Sequence, residues 1–170
     1  MNLAKLFEIF DSNEKFDYRV LSRNEVIKLF EEFEFKDNRL KEETTRFLKN
    51  TKKLKGYLLK EYDILLFSFF DKNKMVWHFL DLNNLDKDEL TFSNKNSLRI
   101  FNFIIQRIKD QSHKSYIHLI PTPDYRRFNL YFKIIEKVIE NHNLEYNQKI
   151  TKKGIELHPN RISEFLEGLK

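Results

Sequence analysis

The chain has 170 residues, 41% hydrophobic and 34% charged, with 17 phenylalanines and a formal net charge of +5; this balance excludes disorder and predicts one globular domain over 1–170. The absence of cysteine excludes a disulfide framework, a thiolate nucleophile and cysteine-ligated zinc. Charges of both signs are spread along the chain, so the positive excess is only a mild pull toward acidic partners.

Nowhere do apolar residues run long enough to span a bilayer. The start, MNLAKLFEIFDSNEK, lacks the small-residue cleavage site of a secretory signal. Together these predict a soluble cytoplasmic protein with no membrane partner. Three glycines and three prolines predict long regular elements and few tight turns. The richness in Lys, Asn, Ile and Phe is what AT-biased coding produces, and suits a low-GC bacterium or one of its phages.

The elements follow from hydrophobic period and end signals. NLAKLFEIF places Leu3, Leu6, Phe7 and Phe10 on one side of a short amphipathic helix. FDYRVL alternates like a strand, after which Ser22 and Glu25 have capping-box spacing ahead of Val26, Leu29, Phe30 and Phe33; a strand ending at Phe33 and Phe35 is the alternative. DNRLKEETTRFLKN predicts a surface helix with Leu40, Thr44, Phe47 and Leu48 on its apolar side. TKKLKGYLLK follows, and with it the most basic segment of the chain: Lys49, Lys52, Lys53, Lys55 and Lys60. It reads as a solvated helix end and turn, with phosphate contact as the sharper alternative.

YDILLFSFF and KMVWHFLDL, parted by DKNK, predict a β-hairpin whose continuous apolar character implies burial on both faces. LRIFNFIIQRIKD is a helix with Leu98, Phe101, Ile104, Ile105 and Ile108 on one face and Ser97 as its N-cap. YIHLI is a short strand ended by Pro121. The helix after it, with Asp124 as cap, carries Phe128, Tyr131, Phe132, Ile135, Val138 and Ile139 as a single stripe. LEYNQKITKKGIEL predicts two strands about residues 152–154, and Asn160 caps a last helix, RISEFLEGL. The layout is a mainly helical part over 1–60, a sheet with helices over 61–158 and a C-terminal helix over 160–169. The fold class is α+β, with a mixed, mostly antiparallel sheet flanked by helices.

The order strand, strand, helix, strand, helix, strand, strand, together with FNLYFKIIEK at residues 128–137, resembles the second half of the GNAT acetyltransferase superfamily over residues 63–157. In style it is closest to small phage and bacterial proteins with a GNAT-like core. The resemblance implies acetyl-CoA as cofactor, with Tyr131 as the general acid that protonates the leaving thiolate. It also implies a phosphate cradle at the start of the helix after the hairpin, formed here by Asn94, Lys95, Asn96, Ser97 and Arg99. Backbone amides at a helix N-terminus attract phosphate, and glycines let the backbone approach it. TFSNKNSLRIF contains no glycine, which departs from the family pattern at the element the cofactor needs.

Each candidate has a plainer reading beside it. Tyr131 belongs to the apolar stripe of its helix, where packing alone accounts for it. His78 lies near Asp81, Asp86, Asp88 and Glu89, so it is either a catalytic base or a hydrogen-bonded structural histidine. His118 belongs to a buried strand or a cleft at its end. His113, His142 and His158 are scattered and show no metal-ligand spacing. Lys49, Lys52, Lys53, Lys55, Arg126 and Arg127 could meet a nucleic acid or a partner protein, while Glu136 and Glu140 interrupt the basic strip of Arg126, Lys133 and Lys137. The reading that follows is a non-catalytic binding protein, phage-encoded, serving an accessory, anti-defence or assembly role on another protein with no cofactor. A divergent N-acetyltransferase and a nucleic-acid-binding protein are the alternatives.

Overall fold

The computed structural model of the chain describes residues 13–34, 38–82, 94–110, 116–121 and 128–160. The first half supplies β1 (Tyr18–Leu21), α1 (Arg23–Glu32), α2 (Asn38–Asn50), β2 (Lys52–Leu59), a 3-10 turn (Lys60–Tyr62), β3 (Ile64–Asp71) and β4 (Lys74–Asp81). The second half supplies α3 (Asn94–Asp110), β5 (Ile117–Pro121), α4 (Phe128–Asn141), β6 (Tyr146–Thr151) and β7 (Gly154–Pro159). The class is α+β, as expected. The strands form one sheet in the order β1-β2-β3-β4-β5-β7-β6, antiparallel throughout except for the parallel pair β4 and β5.

Alternation along the strands sends side chains to two covered faces. Tyr57, Leu66, Trp77 and Phe79 pack under Phe101, Ile104 and Ile105 of α3 and Tyr131, Ile135 and Val138 of α4. On the other face Leu65, Phe67, Phe69, Val76 and Leu119 pack with Val26, Ile27 and Phe30 of α1 and Leu48 of α2. This double cover is why the strands of the β3–β4 hairpin read as nearly continuous apolar runs.

The ends obey local chemistry. The Ser22 backbone N–H donates to Glu25 Oε2 at 2.7 Å and the Ser22 hydroxyl accepts from the Glu25 N–H at 3.4 Å, a complete capping box. Helix α4 closes with Asn143 left-handed at φ 51, the Leu144 N–H donating to Ile139 O and the Asn143 N–H to Glu140 O, the Schellman arrangement. Two-residue turns join β3 to β4 and β6 to β7.

Three expectations are corrected. TKKLKGYLLK is a strand inside the sheet, not a solvated helix end: Leu54, Tyr57 and Leu59 are buried while Lys52, Lys53 and Lys55 are exposed. The pattern is masked because Lys52 pairs with Phe70 and Lys55 with Ser68. Two β2 residues thus face one on β3, and this bulge slips the alternation. Ser97 is not the cap of α3, which begins at Asn94; its first turn has no apolar residue for periodicity to detect. Phe47 is 52% exposed, meeting Phe69 of the sheet edge-on at 5.2 Å. Among the described side chains of α2 the buried ones are Leu48, as expected, and Thr45 in place of Thr44, which is half-buried. The helices expected at NLAKLFEIF and RISEFLEGL and the cap at Asp124 lie outside the described residues.

Candidate functional site

The two parallel strands share a ladder only where Lys74, Met75 and Val76 face Ile117, His118 and Leu119, although β4 runs on to Asp81 and β5 to Pro121. Past Val76 they no longer pair. Their carboxyl ends point the same way, and the chain goes on from β4 to α3 and from β5 to α4. In sheets with parallel strands, the space beyond such carboxyl ends is where ligands are held. The space past the end of the β4–β5 ladder is therefore the candidate site.

Its base is rigid. The Trp77 indole N–H donates to His118 Nδ1 at 3.0 Å, with both residues fully buried. The His118 ring meets Tyr146 edge-on at 5.7 Å, and burial pushes the Tyr146 phenol up to about 12. His118 is thus a core histidine. On the opposite face His78 stacks on Phe67 and Phe69 at 5.5 and 5.6 Å, and burial pushes its imidazole down to about 4. It is a neutral ring held by stacking and makes no hydrogen bond among the described residues, unlike the hydrogen-bonded histidine expected there.

The residues named from the resemblance divide. Tyr131, on α4, is 3% exposed and meets Phe101 of α3 edge-on at 5.4 Å. Asn94, Lys95, Asn96 and Ser97 form the first turn of α3. Arg99 is engaged elsewhere: Nε lies 3.5 Å from Glu14 Oε1, the guanidinium covers the Tyr62 ring at 5.3 Å, and Nη1 donates to the Tyr62 hydroxyl. Burial chiefly raises the Tyr62 phenol, with Arg99 opposing it.

The lysines also divide. Lys49 lies in the last turn of α2 and pairs with Glu31 at 2.6 Å. Lys52, Lys53 and Lys55 gather on β2, with Lys53 Nζ over the rings of Phe70 and Tyr116 at 5.2 and 5.3 Å and Lys55 Nζ over Tyr57 at 5.7 Å. On α4, Lys137 pairs with Glu140 at 3.2 Å. Arg126, Arg127, His113, Asp86, Asp88 and Glu89 lie outside the described residues. His142 is buried with Nε2 2.7 Å from Asn102 Oδ1. Among the described residues no group of three or more acidic residues and histidines could hold a metal ion, and no helix is long and apolar enough to cross a membrane.

One polar cluster was missed. Lys74 Nζ reaches across β5 to Glu156 Oε1 at 2.5 Å, and His158 Nε2 lies 2.9 Å from Glu156 Oε2. Burial raises the Glu156 carboxyl, but hydrogen bonds from Lys74 and His158 and their charges outweigh it and leave the group below the usual carboxylate range. Alternation in GIELHP does put Glu156 and His158 on one face. Only the sheet order brings Lys74 to them.

No protein-family model, no curated protein sequence and no solved structure matches the chain.

Proposed function

We propose that this protein is a non-catalytic binding protein with a GNAT-like core, acting in the cytoplasm on another protein. One observation carries the reading. Tyr131, in the position of the family's general acid, is 3% exposed and edge-on to Phe101 within the stripe of Ile134, Ile135 and Val138. The glycine-free start of α3 and the commitment of Arg99 to Glu14 and Tyr62 support it further, because both remove means of holding a pyrophosphate. The AT-biased composition supports a phage source and an accessory, anti-defence or assembly role.

A divergent N-acetyltransferase is the second reading. The observation in its favour is the early end of the β4–β5 ladder at Val76 and Leu119, with α3 and α4 following the two strands, the order in which the family places cofactor helix and tyrosine helix. A thermal-shift and calorimetric titration with acetyl-CoA separates the two. The binding-protein reading expects no stabilisation at millimolar acetyl-CoA, whereas a ligand at a hundred times its Kd stabilises by about 2.7 kcal/mol. Micromolar binding, with acetyl transfer to a panel of amines that falls in Tyr131→Phe, overturns it.

A further inference from the structure

Among the described residues β1 is an edge strand of the sheet. β1 stops at Leu21 opposite Gly56, so among the described residues no strand lies on that side of the bulged start of β2. Lys53 is turned there into the left-handed region at φ 53. The groove left by this step has a volume of about 590 Å³, and its lining includes Val20, Glu25, Lys53, Lys55, Ser68 and Met75. Ser68 and Met75 are each 3% exposed, and register sets Lys55 opposite Ser68, so ammonium and hydroxyl share a face.

Ser68 is a polar side chain lining the groove, 3% exposed as a residue, and its oxygen is not among the orphaned buried polar atoms of the described residues. Two features of this lining point to an anion. Glu25, the carboxylate in the lining, is already engaged by the Ser22 N–H at 2.7 Å and by Arg19 at 3.6 Å. Lys53 and Lys55 have no carboxylate partner among the described residues and are held against aromatic faces, with Lys53 Nζ also 3.4 Å from the Tyr116 hydroxyl.

We propose that this groove binds a small phosphorylated molecule, its terminal phosphate on Lys53, Lys55 and Ser68 and its apolar body against Val20 and Met75. A phosphate monoester near neutral pH carries close to two negative charges and three acceptor oxygens. Two ammonium groups and a hydroxyl match it better than they match a carboxylate, with its single charge. The depth of Ser68 favours a terminal phosphate over the backbone of a polymer. The inference is independent of how the space past the end of the β4–β5 ladder is used.

Calorimetry with phenyl phosphate on the full chain tests it. Saturable binding is expected, weakened at least tenfold in Lys55→Gln, Lys53→Gln and Ser68→Ala with unchanged melting curves, unaffected in Lys149→Gln on β6 at the opposite edge of the sheet, and absent for phenol. No binding of phenyl phosphate, or equal affinity across these variants, overturns the proposal. So does binding of a single-stranded oligonucleotide without binding of phenyl phosphate, which would assign the lysines to a nucleic-acid surface.

Discussion

Gly154 stands at φ 148, and a Cβ built there would meet Ile120 O at 2.3 Å and Pro121 Cα at 2.8 Å, backbone atoms of β5 that cannot swing aside. Gly154→Ala should therefore destabilise the protein by ~2 kcal/mol or more, read from the urea midpoint. His78 supports a different prediction. Its imidazole titrates near 6.5 when unfolded and at about 4 in the fold, because burial between Phe67 and Phe69 opposes the charge. Between those values the unfolded chain binds the extra proton, so this residue's contribution is present above pH 6.5 and is lost as pH falls toward about 4. Urea titrations of wild type and His78→Phe across that range should show a steeper fall in wild type. Parallel curves would contradict the assignment.

At the scale of elements, local rules worked where a motif closes on itself. Ser22 and Glu25 form the box their spacing announces, and Ser22→Ala should cost about 1 kcal/mol in chemical unfolding. The β3–β4 and β6–β7 hairpins and the apolar stripe of α4 were legible for the same reason, since period and turn residues are properties of consecutive residues. β2 was not legible. Its lysines point outward, its bulge breaks the period of two, and only pairing with β1 on one side and β3 on the other makes a strand of it. The first turn of α3 was likewise hidden, because residues 94–97 contain no apolar side chain.

Across the whole molecule, the sheet changes from antiparallel to parallel between β3–β4 and β4–β5, and Trp77 sits at that junction. It stacks near Tyr57 of β2 at 6.3 Å and donates to His118 of β5, so one fully buried side chain links three strands. Trp77→Phe should lower stability by about 1–3 kcal/mol, since His118 is left without that donor in a site closed to water. Circular dichroism is the measurement, because the variant loses the single tryptophan as a fluorescent probe.

By itself the sequence determined the α+β class, the order of elements over its second half and the core stripe that holds Tyr131, because these depend on periodicity and end signals between near neighbours in the chain. Tertiary structure alone decided the rest. The early end of the β4–β5 ladder, the Lys74–Glu156–His158 cluster and the groove where Lys55 is paired with Ser68 each join residues from different strands. The pairing that unites them is fixed by strand order and register, and neither is written in any single stretch of residues.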